Sequence, residues 1–419
     1  MVCRYAASRR IAPCIHQPSL LIQAAIGTVY TVELRMRLPV FLYRLPVCML
    51  PTLLLAAFVA TSASLCAADP TDQSMPRSFV YVSGYAPTIS CYLLDPASGA
   101  LTASSTSPGG TNPSFLAWAP DHRTLYALNE SGKEGRVRAF RVAAGDGALS
   151  PLSDAPSGGG GPCHIAVHAS GKWLFVAHYG SGHVAVLPLA ADGSVGAPVD
   201  IQLAGSHAHM AVTDHSGRFL FVPCLGSDHV AIYRFDPETG HLTPSAPATV
   251  ALPKGAGPRH IAFHPSERMA YVINELGNTL TSFTYDAAQA TFADPQTITT
   301  LPAGFTAKSS TAHVRVAPDG LTLYGSNRGQ DSIAIFKLDP TTLRPQPPSW
   351  ENGNGEIKVP RHFTLTDDGS LLLATSQGAD LLSVFRVTPQ SGALNRLSAL
   401  KVSKGPSFVG VMPAPEPVK

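Results

Sequence analysis

Arg259, Glu275 and Arg328 are the residues of this chain whose types and spacing could do chemistry. Two guanidiniums converging on a carboxylate make a site for an anion with a base beside it, because guanidinium pairs with a carboxylate, a phosphate or a developing oxyanion through charge-assisted hydrogen bonds. Arg259 and Glu275 stand at the two ends of "RHIAFHPSERMAYVINE", symmetric about residue 267, close to the centre of the turn "HPSER". In an antiparallel hairpin that symmetry makes them near cross-strand neighbours at one edge of the sheet. Arg328 ends "YGSNR", and Arg361 of "PRH" could join the same edge. Histidines recur beside them at 164, 209, 260, 313 and 362. His209, with His164 as the alternative, is the candidate proton donor, since histidine alone titrates near neutral pH unperturbed. A recurring histidine also serves as structural support that satisfies loop carbonyls. Asn129 with Glu130, His178 with Tyr179, Asn274, and Asn327 with Arg328 fall at the ends of the paired strands. Arg315 falls inside a strand and is expected to pair with a neighbouring unit.

The elements that hold these groups are repeated. "PSFLAWAPDHRTLYALNE", "PCHIAVHASGKWLFVAHYG", "HAHMAVTDHSGRFLFVPCLG", "PRHIAFHPSERMAYVINELG", "TAHVRVAPDGLTLYGSNRG" and "PRHFTLTDDGSLLLATSQG" share one template: a small or basic residue, a short strand, a turn, and an apolar strand. Equivalent positions are Phe115, His164, His209, His260, His313, His362 and Phe408, spaced by 49, 45, 51, 53, 49 and 46 residues. A period near 50 of strand-only units predicts a β-propeller, because such a unit cannot bury both its faces alone and must stack radially on copies of itself. Each unit continues into a third and usually a fourth strand, with Asp-Pro-x-x-Gly turns between them. The first copy, from residue 78, supplies only later strands, and the last, "SFVGVMP", only a first strand. Joined, they complete one blade, so the expectation is an all-β, seven-bladed propeller over 78–413 whose N-terminal blade is closed by the C-terminal strand.

Formal net charge is +2 and 14% of residues are charged, with no basic block, which argues against a nucleic-acid partner. Residues 1–68 lie outside the repeat. From Met36, arginines at 37 and 44 precede an apolar stretch from about Val47 to Ala60 and small residues up to Ala68. That order predicts a secretory signal cut near Ala68, with Met36 as the true start, residues 1–35 as an upstream segment, and an exported, periplasmic or secreted mature protein. The apolar core is short for a membrane span of about 20 residues, so no stable span is expected after signal removal; an uncleaved anchor is the alternative. Beyond this segment three cysteines remain, Cys91, Cys163 and Cys224, which is no disulfide framework and includes no CxxC zinc pair.

The segments "HIAVHASGKWLFVAHYGSG", "HAHMAVTDHSGRFLFVPCLGSDHV", "GPRHIAFHPSERMAYVINEL", "VAPDGLTLYGSNRGQDSIAIF" and "PRHFTLTDDGSLLLATSQG" together resemble the lactonase family of seven-bladed propellers, which includes propeller-type 6-phosphogluconolactonases and carboxymuconate cyclases. The resemblance covers about residues 78–413. It implies that His207 and His209, Arg259, Glu275 and Arg328 line the active cleft; the rim positions of His164, His260, Arg361, Asn274 and Asn327 make them further substrate-binding candidates. It also implies lactone hydrolysis, with Glu275 as general base or water-orienting group, Arg259 and Arg328 holding the oxyanion or an anionic substituent, and His209 returning the proton. The expected partner is a small lactone or sugar acid, and the chemistry calls for no metal or other cofactor. A cycloisomerase closing a lactone, and a secreted propeller that only binds, are the alternatives. Two positions depart from the family pattern: Cys224 and His313 stand where carboxylates are usual, a change expected to alter the charge of the cleft.

Overall fold

The computed structural model describes residues 78–415, so the expectations for residues 1–68 lie outside the described residues. Strands run from Ser78 to Pro413 and form seven four-stranded antiparallel sheets. Blade I contains Ser78–Gly84, Thr88–Leu94 and Leu101–Pro108, and its innermost strand is the C-terminal Pro406–Pro413, which pairs with Ser78–Gly84. Blades II to VII follow in chain order over residues 116–156, 162–203, 212–251, 258–299, 310–351 and 363–401. Among the described residues no helix is long and apolar enough to cross a membrane.

The second strand of each unit is apolar at nearly every position rather than alternating, and the structure shows why. Thr124–Asn129, Trp173–His178, Phe219–Cys224, Met269–Asn274 and Leu371–Ser376 are buried at every residue, because both faces of a blade are covered by its neighbours. Seven apolar cores result, each between two adjacent blades; the one joining blades V and VI packs Tyr271, Ile273 and Leu280 against Val314, Leu323 and Phe336. The outer hairpin turns are built as the Asp-Pro-x-x-Gly motif predicts. In blade IV the Asp236 side chain accepts from Glu238 N at 2.9 Å, and Gly240 takes φ 78°, where a Cβ would also run into the Trp173 indole.

Aromatics on the second strands of five blades tie each of them to the next blade around the ring. The hydroxyls of Tyr81, Tyr126, Tyr271 and Tyr324 donate to the carbonyls of Gly147, Gly193, Leu343 and Gly392, and Trp173 Nε1 donates to Pro237 O. Tyr271 is fully buried and its bond is 2.7 Å long. Tyr271→Phe keeps the ring packing but leaves the Leu343 carbonyl unsatisfied, so equilibrium urea unfolding is expected to report a loss of about 1–3 kcal/mol. An unchanged midpoint would mean that water replaces the hydroxyl.

Candidate active site

The first strand of blade V does not pair with simple register. Pro258 faces Asn274 and His260 faces Ile273, leaving Arg259 as the extra residue of a β-bulge. Arg259 and Glu275 stand near one another across the two strands, and the bulge re-aims the arginine along the rim. Blade III has the same irregularity between Pro162 and His164, which places Cys163 at the equivalent point.

Around the bulge Arg259, Glu275 and Arg328 come together. Glu275 Oε2 lies 2.8 Å from Arg259 Nε, and Oε1 lies 2.9 Å from Arg328 NH2. The Arg259 Nε contact is short without the angle of a hydrogen bond, so charge rather than directionality holds that side. Arg259 is buried; its NH1 donates to Ala312 O at 2.6 Å and to His260 Nε2 at 3.2 Å. Arg328 NH2 also donates to Thr311 O at 2.8 Å. Burial pushes the Glu275 carboxyl up, but Arg259, then Arg328 and Arg361, outweigh it and leave it below the usual carboxylate range. Burial lowers the Arg259 guanidinium to about 9, against the opposing pull of Glu275, so it stays charged at neutral pH.

The recurring histidines do not line an open pore; they close it. Phe115, His164, His209, His260, His313, His362 and Phe408 contact one another across the axis, with ring centroids from 4.2 Å for His313 and His362 to 6.5 Å for Phe115 and His260. All five histidines are buried. Burial, with Arg259 adding repulsion, holds the His209 imidazole well below its ordinary value and brings His164 down to about 3. Both shifts disfavour the charged imidazole and so count against His209 as the proton donor; its Nδ1 lies 3.8 Å from Cys163 Sγ. His164 lines the channel on the far side of the plug and is not available to the rim as an alternative. His260 is locked within the plug, its Nδ1 2.8 Å from His313 Nδ1.

Three further expectations change. Asn274 is fully buried, with its amide nitrogen donating to Thr279 Oγ1 and Thr281 Oγ1, each at 3.0 Å. Asn327 donates inside the fold to Thr300 O at 3.0 Å. Both staple strands rather than face a substrate. Cys224 is fully buried in the core between blades III and IV, and burial raises its thiol to about 12; His313 belongs to the plug. Neither substitution therefore alters the charge at the rim. His207 remains at the rim, stacked on Tyr179 at 4.2 Å.

Glu130, at a strand end of blade II, shares a recess with Arg259, Arg361, His209, Cys163 and Ser114. The signal was present: "YALNE" and "YVINE" occupy the same place in the repeat, so Glu130 is the blade II counterpart of Glu275. Among the described residues Glu130 has no cation within ion-pair distance, in contrast to Glu275. Arg361 likewise has no carboxylate partner and lies 5.8 Å from the Tyr85 ring.

A seven-bladed propeller whose channel is sealed by aromatic rings, with arginines and carboxylates gathered at one mouth, defines an enzyme cleft for a small polar or anionic molecule. The chain belongs to the lactonase family: the family model "Lactonase, 7-bladed beta-propeller" matches residues 79–411. It is 30% identical to a 6-phosphogluconolactonase of Bacillus subtilis over 325 residues, 76% of this chain and 92% of that one. A Cronobacter sakazakii 6-phosphogluconolactonase is 32% identical over 72% of this chain and 88% of its own length. Among solved structures, a periplasmic gluconolactonase from Pseudomonas aeruginosa superposes with a TM-score of 0.75 at 31% identity, covering 81% of this chain and all of that one. The chain is a lactone-hydrolysing enzyme of the propeller type.

Proposed function

We propose that the enzyme opens an aldono-1,5-lactone at the rim of blades II, V, VI and VII. The observation that carries the reading is the recess walled by Glu130, Arg259 and Arg361, whose volume of about 10 Å³ is room for roughly one water molecule. Water held there attacks the ring carbonyl carbon while Glu130 accepts its proton. The oxyanion develops against Arg328 and Arg361, donors already in place before the reaction and so favoured over reorganising solvent. Collapse of the tetrahedral intermediate breaks the bond to the ring oxygen, and the proton on Glu130 passes to that alkoxide, leaving the open hydroxy acid. Glu275, clamped by Arg259 and Arg328, keeps both guanidiniums at the rim and accepts a substrate hydroxyl. His207 and Tyr179 offer a stacked edge against which the sugar ring rests.

The N-terminal pattern of residues 36–68 supports an exported enzyme, and an exported enzyme meets the unphosphorylated ring. A phosphorylated ring is the second reading, favoured by Arg361, which lacks a carboxylate partner and could take a phosphate. Proton release on adding glucono-1,5-lactone or its 6-phosphate to the purified propeller separates them. A kcat/KM at least tenfold higher for the unphosphorylated lactone is the expected result; the reverse preference would transfer the assignment to the phosphate ester, and no hydrolysis of either would sink the substrate class.

A further inference from the structure

Below the plug the channel opens again at its other mouth, where a cavity of about 330 Å³ is walled by Trp118, Met210, Leu365 and Val411. That volume is at the lower end of small-molecule sites, which run from about 300 to 1,000 Å³. The wall is mixed, its apolar side chains sharing it with His164, His313, Arg315, His362, Thr364 and Asp367. Arg315 sits mid-strand in Ser310–Val316, between buried Val314 and Val316, yet is itself exposed to the channel. Its NH1 reaches only Thr364 Oγ1, at 3.4 Å, on the neighbouring blade, and among the described residues no carboxylate lies within ion-pair distance of it. The expected pairing of Arg315 across blades is thus a single long bond to Thr364 and a longer-range attraction to Asp367, both of blade VII, which leaves most of the guanidinium's donors free.

A second polar group bounds the same cavity. A guanidinium only donates, so the bond from Arg259 NH1 makes His260 Nε2 the acceptor and leaves the proton of a neutral His260 on Nδ1. That proton is donated to His313 Nδ1, which fixes the proton of a neutral His313 on Nε2. His313 Nε2 is buried, has no hydrogen-bond partner, and belongs to a residue lining this cavity. The chamber therefore carries a guanidinium with free donors, a hydroxyl and a donor without an acceptor, set beside apolar side chains. Asp367 also lines the cavity and already offsets part of the Arg315 charge, which disfavours a phosphate dianion.

We propose that this second mouth binds a small organic monocarboxylate with an apolar body, its carboxylate on Arg315 and the Thr364 hydroxyl and its hydrocarbon part against Trp118 and Met210. The site is separate from the catalytic cleft, because the plug of aromatic rings lies between them. Hexanoate and inorganic phosphate are the probes, read by titration calorimetry and by tryptophan fluorescence on the intact enzyme. Hexanoate is expected to saturate one site and phosphate is not. Arg315→Gln should weaken hexanoate at least tenfold while leaving kcat and KM for the lactone within twofold, and Arg315→Lys should recover part of the binding. A Trp118→Phe variant should bind hexanoate with the fluorescence change reduced. The proposal is overturned if hexanoate fails to saturate the native enzyme, if Arg315→Gln binds it equally well, or if gluconolactone displaces it competitively, which would place it at the rim.

Discussion

Glu130→Gln is expected to lower kcat for lactone hydrolysis by about 10²–10⁴, the range that general base catalysis supplies. The amide preserves the shape of the recess with Arg259 and Arg361 but accepts no proton from the attacking water. KM should move less than threefold, because the side chain acts on the water and not on the sugar. Glu275→Gln is expected to behave differently. Its carboxylate is committed to Arg259 and Arg328, so replacing it leaves two guanidiniums, one of them buried, without their counter-charge. Removing one member of a buried ion pair costs about 3–5 kcal/mol, and the rim should loosen, with KM raised and thermal stability lowered together. Equal kcat for Glu130→Gln and native enzyme would return the base to Glu275.

Acid should unfold this protein well above the pH at which carboxylates are protonated. His164, His178, His209, His260, His313 and His362 are all buried, and burial depresses each imidazole, to about 3 and about 4 for the first two and well below the ordinary value for the others. Their folded values lie below the unfolded value of about 6.5, so the unfolded chain binds more protons as pH falls through that value. The stability they permit is intact above about pH 6.5 and is lost progressively below it. Between pH 7 and 5.5 each such histidine costs roughly 1 kcal/mol, a sum of about 6 kcal/mol against the 5–15 kcal/mol typical of a folded domain. Because the unfolded value sets that loss, the size of each folded depression hardly matters. Denaturant midpoints at pH 7.5 and 5.5 test it directly, and a difference under about 1 kcal/mol would mean that the buried histidines take up protons while folded. The Glu275 carboxyl, held low, adds its own loss only further into acid, as pH falls through its folded value.

The blade count, the closure and the rim position of Arg259, Glu275 and Arg328 were legible because they follow from period and strand alternation. The repeat put a histidine at nearly every innermost strand, and the structure puts those histidines together. What spacing did not carry was direction along the axis. Seven rings converging on an axis leave no lumen, so these residues form a seal with a catalytic side and a far side. Asn274 and Asn327 were misplaced for a related reason: a strand-end position fixes the rim, but pleat alternation turned their amides toward Thr279, Thr281 and Thr300. Glu130 was passed over because no arginine neighbours it in sequence; its partners in the recess come from blades III, IV, V and VII.

The C-terminal strand has a consequence in time as well as in space. Ser78 pairs with Pro413 and Val82 with Val409, so the first strand of the ring waits for nearly the whole chain to be made before it gains its inner neighbour. During synthesis six complete blades can stack while Ser78–Gly84 presents an unpaired edge, the kind of edge that invites pairing with other chains. A ribosome that stops before Pro406 thus releases a ring with a gap, and the order of events in folding is set by the one strand that arrives last.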